Sequence, residues 1–400
     1  MSEFEVRPLA EADRREAFFM LGKALHFPLL SAEIWAERAA GFPAERRFGA
    51  FADGEVIGLA GSAATELAVP GGRAPATAAV DGVGVRADHT RRGVLTALMG
   101  EQLRDCARRG DVLAALHASE TVIYGRFGYG IANRAKTLRI HRGRARFRDD
   151  APGGGRVRLV RPEDAETVLP ELYRRIGLHR PGMIARTPQW WAWKKPKLRD
   201  STIAVHTGPD GDDGFAVYQS ENRESFLDPE AGAALRVWDL HAANTQAWAQ
   251  LWRFVHSVDL VAEIQAPDRP LDEPVDAMLA DPRACATVAV DDSLWLRLID
   301  VPAALAARTY GPGAPVVLEV ADPVLPENSG RYSVGQDGVE RTDAPADLRL
   351  GVDVLAMLYL GDQRPGALAE LNRIEVRSEE GAGRADALFT PAIPWCGTGF

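Results

Sequence analysis

Cysteine is scarce: the 400-residue chain has three, at positions 106, 285 and 396, and none falls in a CxxC or mixed Cys/His spacing. That excludes a disulfide framework, implies no metal, and fits a reducing compartment. Long apolar runs are missing too, so no segment approaches the roughly 20 residues of a membrane-spanning helix. The opening MSEFEVRPLAEADRREA lacks the basic and then apolar pattern of a secretory leader. We therefore expect a cytoplasmic protein with no membrane partner. Positive charge is in deficit, with 47 Lys and Arg against 56 Asp and Glu and a net charge of −9. Nucleic acid is excluded as a partner on that balance, because phosphate binding needs concentrated Lys and Arg surface. Cationic small molecules suit the charge better. What remains, 46% hydrophobic and 26% charged residues, is ordinary globular composition for two or three domains.

The most informative stretch runs from Ala79 to Gly130. Ala76 to Val85 is small and β-branched, as in a buried strand, and Leu95, Leu98, Met99, Leu103 and Cys106 then recur at helical spacing. Gly110 is placed to close that helix in a left-handed cap, and Val112 to His117 is a second short apolar run. Strand, helix and strand follow in turn. Between the first strand and the helix lie Thr90, Arg91, Arg92 and Gly93, where backbone N–H groups meet the positive end of the helix dipole. This is a place to hold a phosphate.

These residues carry a family resemblance. Val83-x-Val85 followed by Arg91-Arg92-Gly93 resembles the pyrophosphate loop of the GNAT acyl-CoA N-acetyltransferases. Ala118-Ser119-Glu120 with IYGRFGYG at 123–130 narrows the likeness to the Eis (enhanced intracellular survival) acetyltransferases, as does the final Gly399-Phe400. The loop departs from the family pattern at Thr90, where a basic residue is expected, so one phosphate contact should be missing. Leu95 at the final small position reads as a subfamily trait.

The remaining chain fits this frame. Phe4 to Arg7 reads as a strand and Ala10 to Leu25 as a helix; a second helix starts after Ser31 and ends at Gly41. Trp35 on it is either core packing or, as the resemblance implies, part of the acceptor pocket wall. Asp53-Gly54 marks a hairpin between Arg47–Phe51 and Val56–Ser62. The Gly-rich segment Arg148 to Gly155 reads as a linker, after which a strand and a Pro162-led helix repeat the opening order. Leu235 to His241 resembles the central strand again and Asn244 a helix cap, but no Arg-x-Gly loop follows, so this copy should not hold CoA. The cluster Gln189-Trp190-Trp191-Ala192-Trp193-Lys194-Lys195-Pro196 suggests packing or a subunit contact, the contact being favoured over base stacking. A third unit starts near Ala286, with a strand at Trp295–Ile299, Pro302 at the first position of a helix, a strand at Val316–Val320 and a turn at Asp337-Gly338. Helical or mixed apolar runs follow at Asp347–Leu360 and Ala367–Val376. Its order resembles a sterol-carrier domain.

The expected architecture is therefore α/β (α+β): tandem GNAT-like domains at 1–149 and 150–285 followed by a sterol-carrier-like domain at 286–400. The apolar, proline-stiffened tail (Ala387-Leu388-Phe389, then Pro391 to Phe400) should dock rather than dangle. The resemblance implies an acetyl-CoA cosubstrate, a small-molecule amine acceptor such as an aminoglycoside or polyamine, and a homohexamer. It implies Tyr124 as the acid that protonates the leaving thiolate and the Phe400 carboxylate as the base. Val83, Gly84, Val85, Arg91, Arg92, Gly93, Val94, Leu95, Thr96, Ser119 and Glu120 are the expected CoA residues. Trp35 and Asp81 are the expected acceptor residues, Asp81 being equally readable as a fold residue. Cys106, on an apolar helix face, should be an inert thiol, so no acyl-enzyme is needed. The alternatives are a protein-lysine acetyltransferase and an apolar-ligand binding protein with a degenerate first domain.

Overall fold

The structure, a computed structural model, describes residues 4–28, 30–221, 233–389 and 393–400. Pro391 and Ala392 of the expected apolar tail lie outside the described residues. The chain forms two compact units: Met1–Asn133 with Leu294–Pro394 and Gly399–Phe400, and Arg134–Ser293 with Trp395–Thr398.

In the first unit the order is β1 (Glu5–Pro8), α1 (Arg14–Ala24), α2 (Ala32–Arg38), β2 (Arg47–Ala52), β3 (Glu55–Glu66), β4 (Ala76–Val85), α3 (Val94–Arg108), β5 (Leu113–Leu116) and α4 (Thr121–Tyr124). β1 to β4 form an antiparallel meander, and β5 pairs parallel to β4. Local chemistry explains these boundaries. Asp53 and Gly54 both sit at positive φ, 51° and 82°, so the hairpin turn matches the twist of β2 and β3. The Ser31 side chain accepts from the Ile34 N–H and starts α2. Gly110 (φ 78°) ends α3, its N–H donating to the Ala107 carbonyl while Asp111 N–H donates to Cys106. Between the helix and the sheet, Met99, Leu103 and Cys106 pack with Val80, Leu116, Phe127 and Tyr129.

The same unit holds a five-stranded sheet built around Val316–Ala321, which pairs antiparallel to Gly330–Gly335 and parallel to Leu348–Gly351. Three details differ from the sequence expectation. Gly335 pairs with Gly338, so the turn is Gln336-Asp337, one residue earlier than Asp337-Gly338. Asp300 caps the Val301–Ala307 helix by accepting from Ala303 N–H at 2.9 Å, which moves Pro302 from the first helical position to the second. The strand expected at Trp295–Ile299 is the end of a longer one, Cys285–Leu298, whose Asp291-Asp292 interrupts the apolar pattern.

The second unit repeats the opening order: strand Arg156–Val160, helix Pro162–Ile176, then an antiparallel run of Thr202–Gly208, Gly211–Glu221 and Ala233–Ala242. Asn244 caps the Thr245–Ser257 helix through a 2.9 Å bond from Ala247 N–H, and strand Val261–Arg269 returns parallel to Ala233–Ala242. The Gly-rich stretch lies inside this unit, since Arg148 N–H donates to the Met278 carbonyl and Arg253 donates to the Ala151 and Pro152 carbonyls. Turn-forming composition reports backbone freedom and says nothing of what packs on it.

Among the described residues, two buried pairs of arginine and carboxylate hold this unit, as buried charge requires a partner. Arg269 faces Glu273, which also accepts from the indole N–H groups of Trp248 and Trp252 at 2.8 Å each. Arg186 clasps Asp239 through two bonds of 2.7 and 2.9 Å. The tryptophan cluster covers this charge, with the Arg186 guanidinium 4.4 Å from the Trp190 ring and 5.4 Å from Trp191. Intramolecular packing thus accounts for these two rings.

Residues Trp395–Thr398 fill a cleft in the same unit. Pairing between Ala233–Ala242 and Val261–Arg269 ends at Arg236 and Gln265. Beyond it Trp395 stacks 4.8 Å from His241, and its indole N–H donates to the Asp268 carbonyl at 2.8 Å. Arg186 donates to the Gly397 carbonyl and the Thr398 hydroxyl. The tail docks, but Trp395–Thr398 do so in the second unit rather than in the first domain as expected, and of the residues after Pro394 Gly399–Phe400 alone belong to the first unit.

Burial pushes the His241 imidazole down to about 4 from its ordinary 6.5, with the Arg186 and Arg269 charges acting the same way and Asp239 opposing. The folded ring is neutral, so its contribution is complete above pH 6.5 and is lost as pH falls from 6.5 to 4, on the order of 3 kcal/mol. Urea unfolding across that window should show this decline, and His241→Gln should remove that share of the slope.

Candidate active site

The site begins where β4 and β5 part. Their pairing covers Thr77/Leu113 to Ala79/Ala115, while β4 continues to Val85 against β3. Gly82 (φ 60°) lies in a register shift of that ladder, a bulge that bends β4 away from β5. Val83, Gly84 and Val85 consequently have no register partner on the β5 side among the described residues. Such an edge suits an extended amide chain, as a pantetheine arm is.

Next along the chain is an anion cradle. The Thr90 hydroxyl donates to the Ala87 carbonyl at 3.0 Å, closing a short turn where the family pattern has a basic residue. Arg91 (φ 62°) and Gly93 (φ 83°) are both left-handed and lead into α3, which no side chain caps. Its first intrahelical bond is from Ala97 N–H to the Gly93 carbonyl, so the N–H groups of Val94, Leu95 and Thr96 precede the helix ladder. Arg91 and Arg92 are exposed beside them. Backbone donors, the helix dipole and two guanidinium groups together fit a pyrophosphate. Leu95 is half-buried against the core, which accounts for a large residue where small ones are usual.

Tyr124 ends α4 and leads into a tight turn. Gly128 N–H donates to the Gly125 carbonyl at 2.9 Å and Tyr129 N–H to the Tyr124 carbonyl at 3.3 Å. The Tyr124 phenol is buried, and desolvation, then the Glu120 charge, raises its pKa above the ordinary 10. It is protonated at neutral pH and available as a donor. Tyr129 is fully buried and its hydroxyl has no hydrogen-bond partner among the described residues, as befits a packing residue. Burial pushes Cys106 up to about 12, Cys285 to about 11 and Cys396 to about 12, so all three are thiols at neutral pH.

The other expected site residues fall as follows. Phe400 lies edge-on to His117 with ring centroids 4.7 Å apart. His117 follows β5 in the segment that leads to Tyr124, and Ser119 and Glu120 are exposed on that same segment. Trp35 is buried, 4.8 Å from the Phe18 ring and 6.2 Å from Phe42. Asp81 receives a bidentate bond from buried Arg47, at 2.5 and 2.9 Å, and Arg47 also stacks 3.9 Å over Phe42.

Sequence reasoning missed the charges that brace this site. Arg47, Arg297 and Asp322 are all buried. A signal existed for Arg297, an arginine inside the apolar run Leu294-Trp295-Leu296-Arg297-Leu298, where an unpaired charge is prohibitive. Because Asp81 compensates Arg47, Asp81→Ala should cost about 2 kcal/mol of stability, read as a shift in the urea midpoint. An unchanged midpoint would leave Asp81 free to act only on ligand.

Comparison with known proteins agrees with this geometry. Residues 5–132 and 182–298 each match an Acetyltransferase (GNAT) domain family, and residues 301–397 match the Sterol carrier protein domain. The sequence is 36% identical over 384 residues to an uncharacterized N-acetyltransferase of Streptomyces griseus, covering 92% of each chain. It is 36% identical over 369 residues to N-acetyltransferase Eis of Mycobacterium bovis, covering 87% of this chain and 86% of that one. The crystal structure of Eis1 from Mycobacterium abscessus superposes with a TM-score of 0.89 at 37% identity, covering 99% of this chain and all of the other. The GNAT domains imply an acyl-CoA cosubstrate. With two GNAT domains, a sterol-carrier-like third and this likeness over most of its length, the chain belongs to the Eis family of GNAT N-acetyltransferases.

Proposed function

We propose that this enzyme transfers acetyl from acetyl-CoA to primary amines of polycationic small molecules, aminoglycosides or polyamines, by direct attack in a ternary complex. The observation that carries the reading is the Phe400 ring against His117, on the segment that leads to Tyr124. That contact brings the last residue to the part of the chain that bears the phenol. An α-carboxylate has a reference pKa of about 3.5 and is ionised at neutral pH. It takes the proton from the attacking amine, directly or through water, as the N–C bond forms.

Acetyl-CoA supplies the acyl thioester. Val83, Gly84 and Val85 bind its pantetheine arm, and the N–H groups of Val94, Leu95 and Thr96 with Arg91, Arg92 and Gly93 bind its pyrophosphate. Ser119 and Glu120 flank the arm on the β5 side. As the C–S bond breaks, Tyr124 gives its phenolic proton to the departing sulfur. Trp35 walls the acceptor pocket, and Glu120 with the tail carboxylate favours cationic amines; any share of Asp81 in this is what its charge leaves after Arg47. The second GNAT domain, whose helix start is capped by Asn244, holds no CoA. We read the modules as 1–149, 150–285 and 286–400, in a cytoplasmic homohexamer.

Adding one alanine after Phe400 tests the base. The carboxylate moves by up to about 3.5 Å, and turnover should fall about 100-fold with folding and CoA affinity kept. Turnover is read as CoA release over aminoglycosides, spermidine and lysine peptides. Undiminished turnover in the extended chain overturns the assignment of the base, and silence across all three acceptor classes with the natural chain overturns the activity.

A further inference from the structure

We propose that Arg297 is a positioning residue for Tyr124, so that the sterol-carrier-like domain sets the angle at which the phenol meets the leaving sulfur. The inference rests on Tyr124 as proton donor.

Arg297 has no exposed surface, and each of its three guanidinium nitrogens donates a hydrogen bond. Toward its own strand it donates to the Leu298 carbonyl at 2.6 Å. A second arm reaches Asp322 at 2.6 Å. The third, Nε–H, donates to the Phe127 carbonyl at 2.9 Å. Phe127 ends the short turn that begins directly after Tyr124, so this bond fixes the exit of the turn that carries the phenol.

The anchor itself has little freedom. Asp322 accepts from the N–H groups of Val324 and Leu325 and from the Asn328 amide, and Asn328 in turn bonds the Ile299 carbonyl and Val301 N–H. Packing closes the other side of the turn. A Cβ at Gly128 would lie 2.7 Å from Arg297 Nε and 2.8 Å from Val352, and one at Gly130 would fall on the Asp353 carbonyl oxygen. Gly128 and Gly130 therefore admit the third domain against the turn. A rigid neighbour matters here, because small displacements of a proton donor cost rate steeply.

Arg297→Lys separates positioning from simple charge compensation. Lysine keeps a cation opposite Asp322, but a single ammonium lacks the planar fork that also spans to Phe127. We expect kcat to fall about 10-fold with acceptor KM and CoA affinity unchanged. Tyr124→Phe is measured alone and combined with it. If Arg297 acts through the phenol, Arg297→Lys costs little further once the phenol is gone. Unchanged kcat in Arg297→Lys, or the same loss with and without the phenol, overturns the inference. Unchanged turnover in Tyr124→Phe alone instead overturns the proton-donor reading. Should Arg297→Lys fail to fold, Asp322→Glu shifts the same arm by one methylene while keeping a carboxylate opposite Arg297. It is held to the same outcomes: a kcat loss that vanishes without the phenol supports positioning, and any other pattern overturns it.

Discussion

A guanidinium with no exposed surface must have its charge and its N–H groups answered inside the protein, and at Arg297 that demand organises the first unit. Its partners come from separate stretches of sequence. Asp322, itself held by the Asn328 amide, belongs to the sterol-carrier-like domain, and the Phe127 carbonyl belongs to the GNAT domain. Satisfying one buried side chain thus brings two domains into a single core. Gly128 and Gly130 show the same constraint sterically, since the approach of Val352 and Asp353 leaves no room for a Cβ.

The two GNAT domains share a plan and differ in what their clefts receive. Each has a central strand, a helix and a returning strand whose pairing stops early. In the first, a bulge at Gly82 and an uncapped helix after Gly93 leave backbone groups facing outward. In the second, Asn244 satisfies the helix start and Trp395 to Thr398 occupy the space beyond the paired strands. The Arg186 and Asp239 pair forms the floor of that space. The second cleft thus serves as a socket for the chain's own tail.

Much of this was legible because much of it is local. Asp53-Gly54, Ser31, Gly110 and Asn244 each act within a few residues, through positive φ or a side chain that caps a backbone N–H. The strand at Ala76–Val85 and the amphipathic α3 are equally self-contained. The partners of the bracing charges were not legible. Arg297 and Asp322 are 25 residues apart, and nothing in their neighbours names the pairing. The same holds for Trp190 and Trp191, whose purpose is visible only once Arg186 lies against them. The glycines of IYGRFGYG read as turn residues, which backbone conformation supports only in part: Gly128 is left-handed, while Gly130 is glycine for want of space. At Asp337-Gly338 composition found the hairpin but missed its register, which the Gly335 to Gly338 pair decides.

The first unit is discontinuous: residues up to Asn133 share the core around Phe127 and Tyr129 with Trp295, Ile299 and Leu325, whereas nearly all of the second unit is the uninterrupted run between the two parts. On the ribosome, the middle of the chain can consolidate while the amino-terminal domain still lacks its far partners. Contacts of such long sequence separation form slowly. The acetyltransferase domain, although synthesised first, is therefore the later of the two to mature, and its half-built sheet is the species a chaperone would meet.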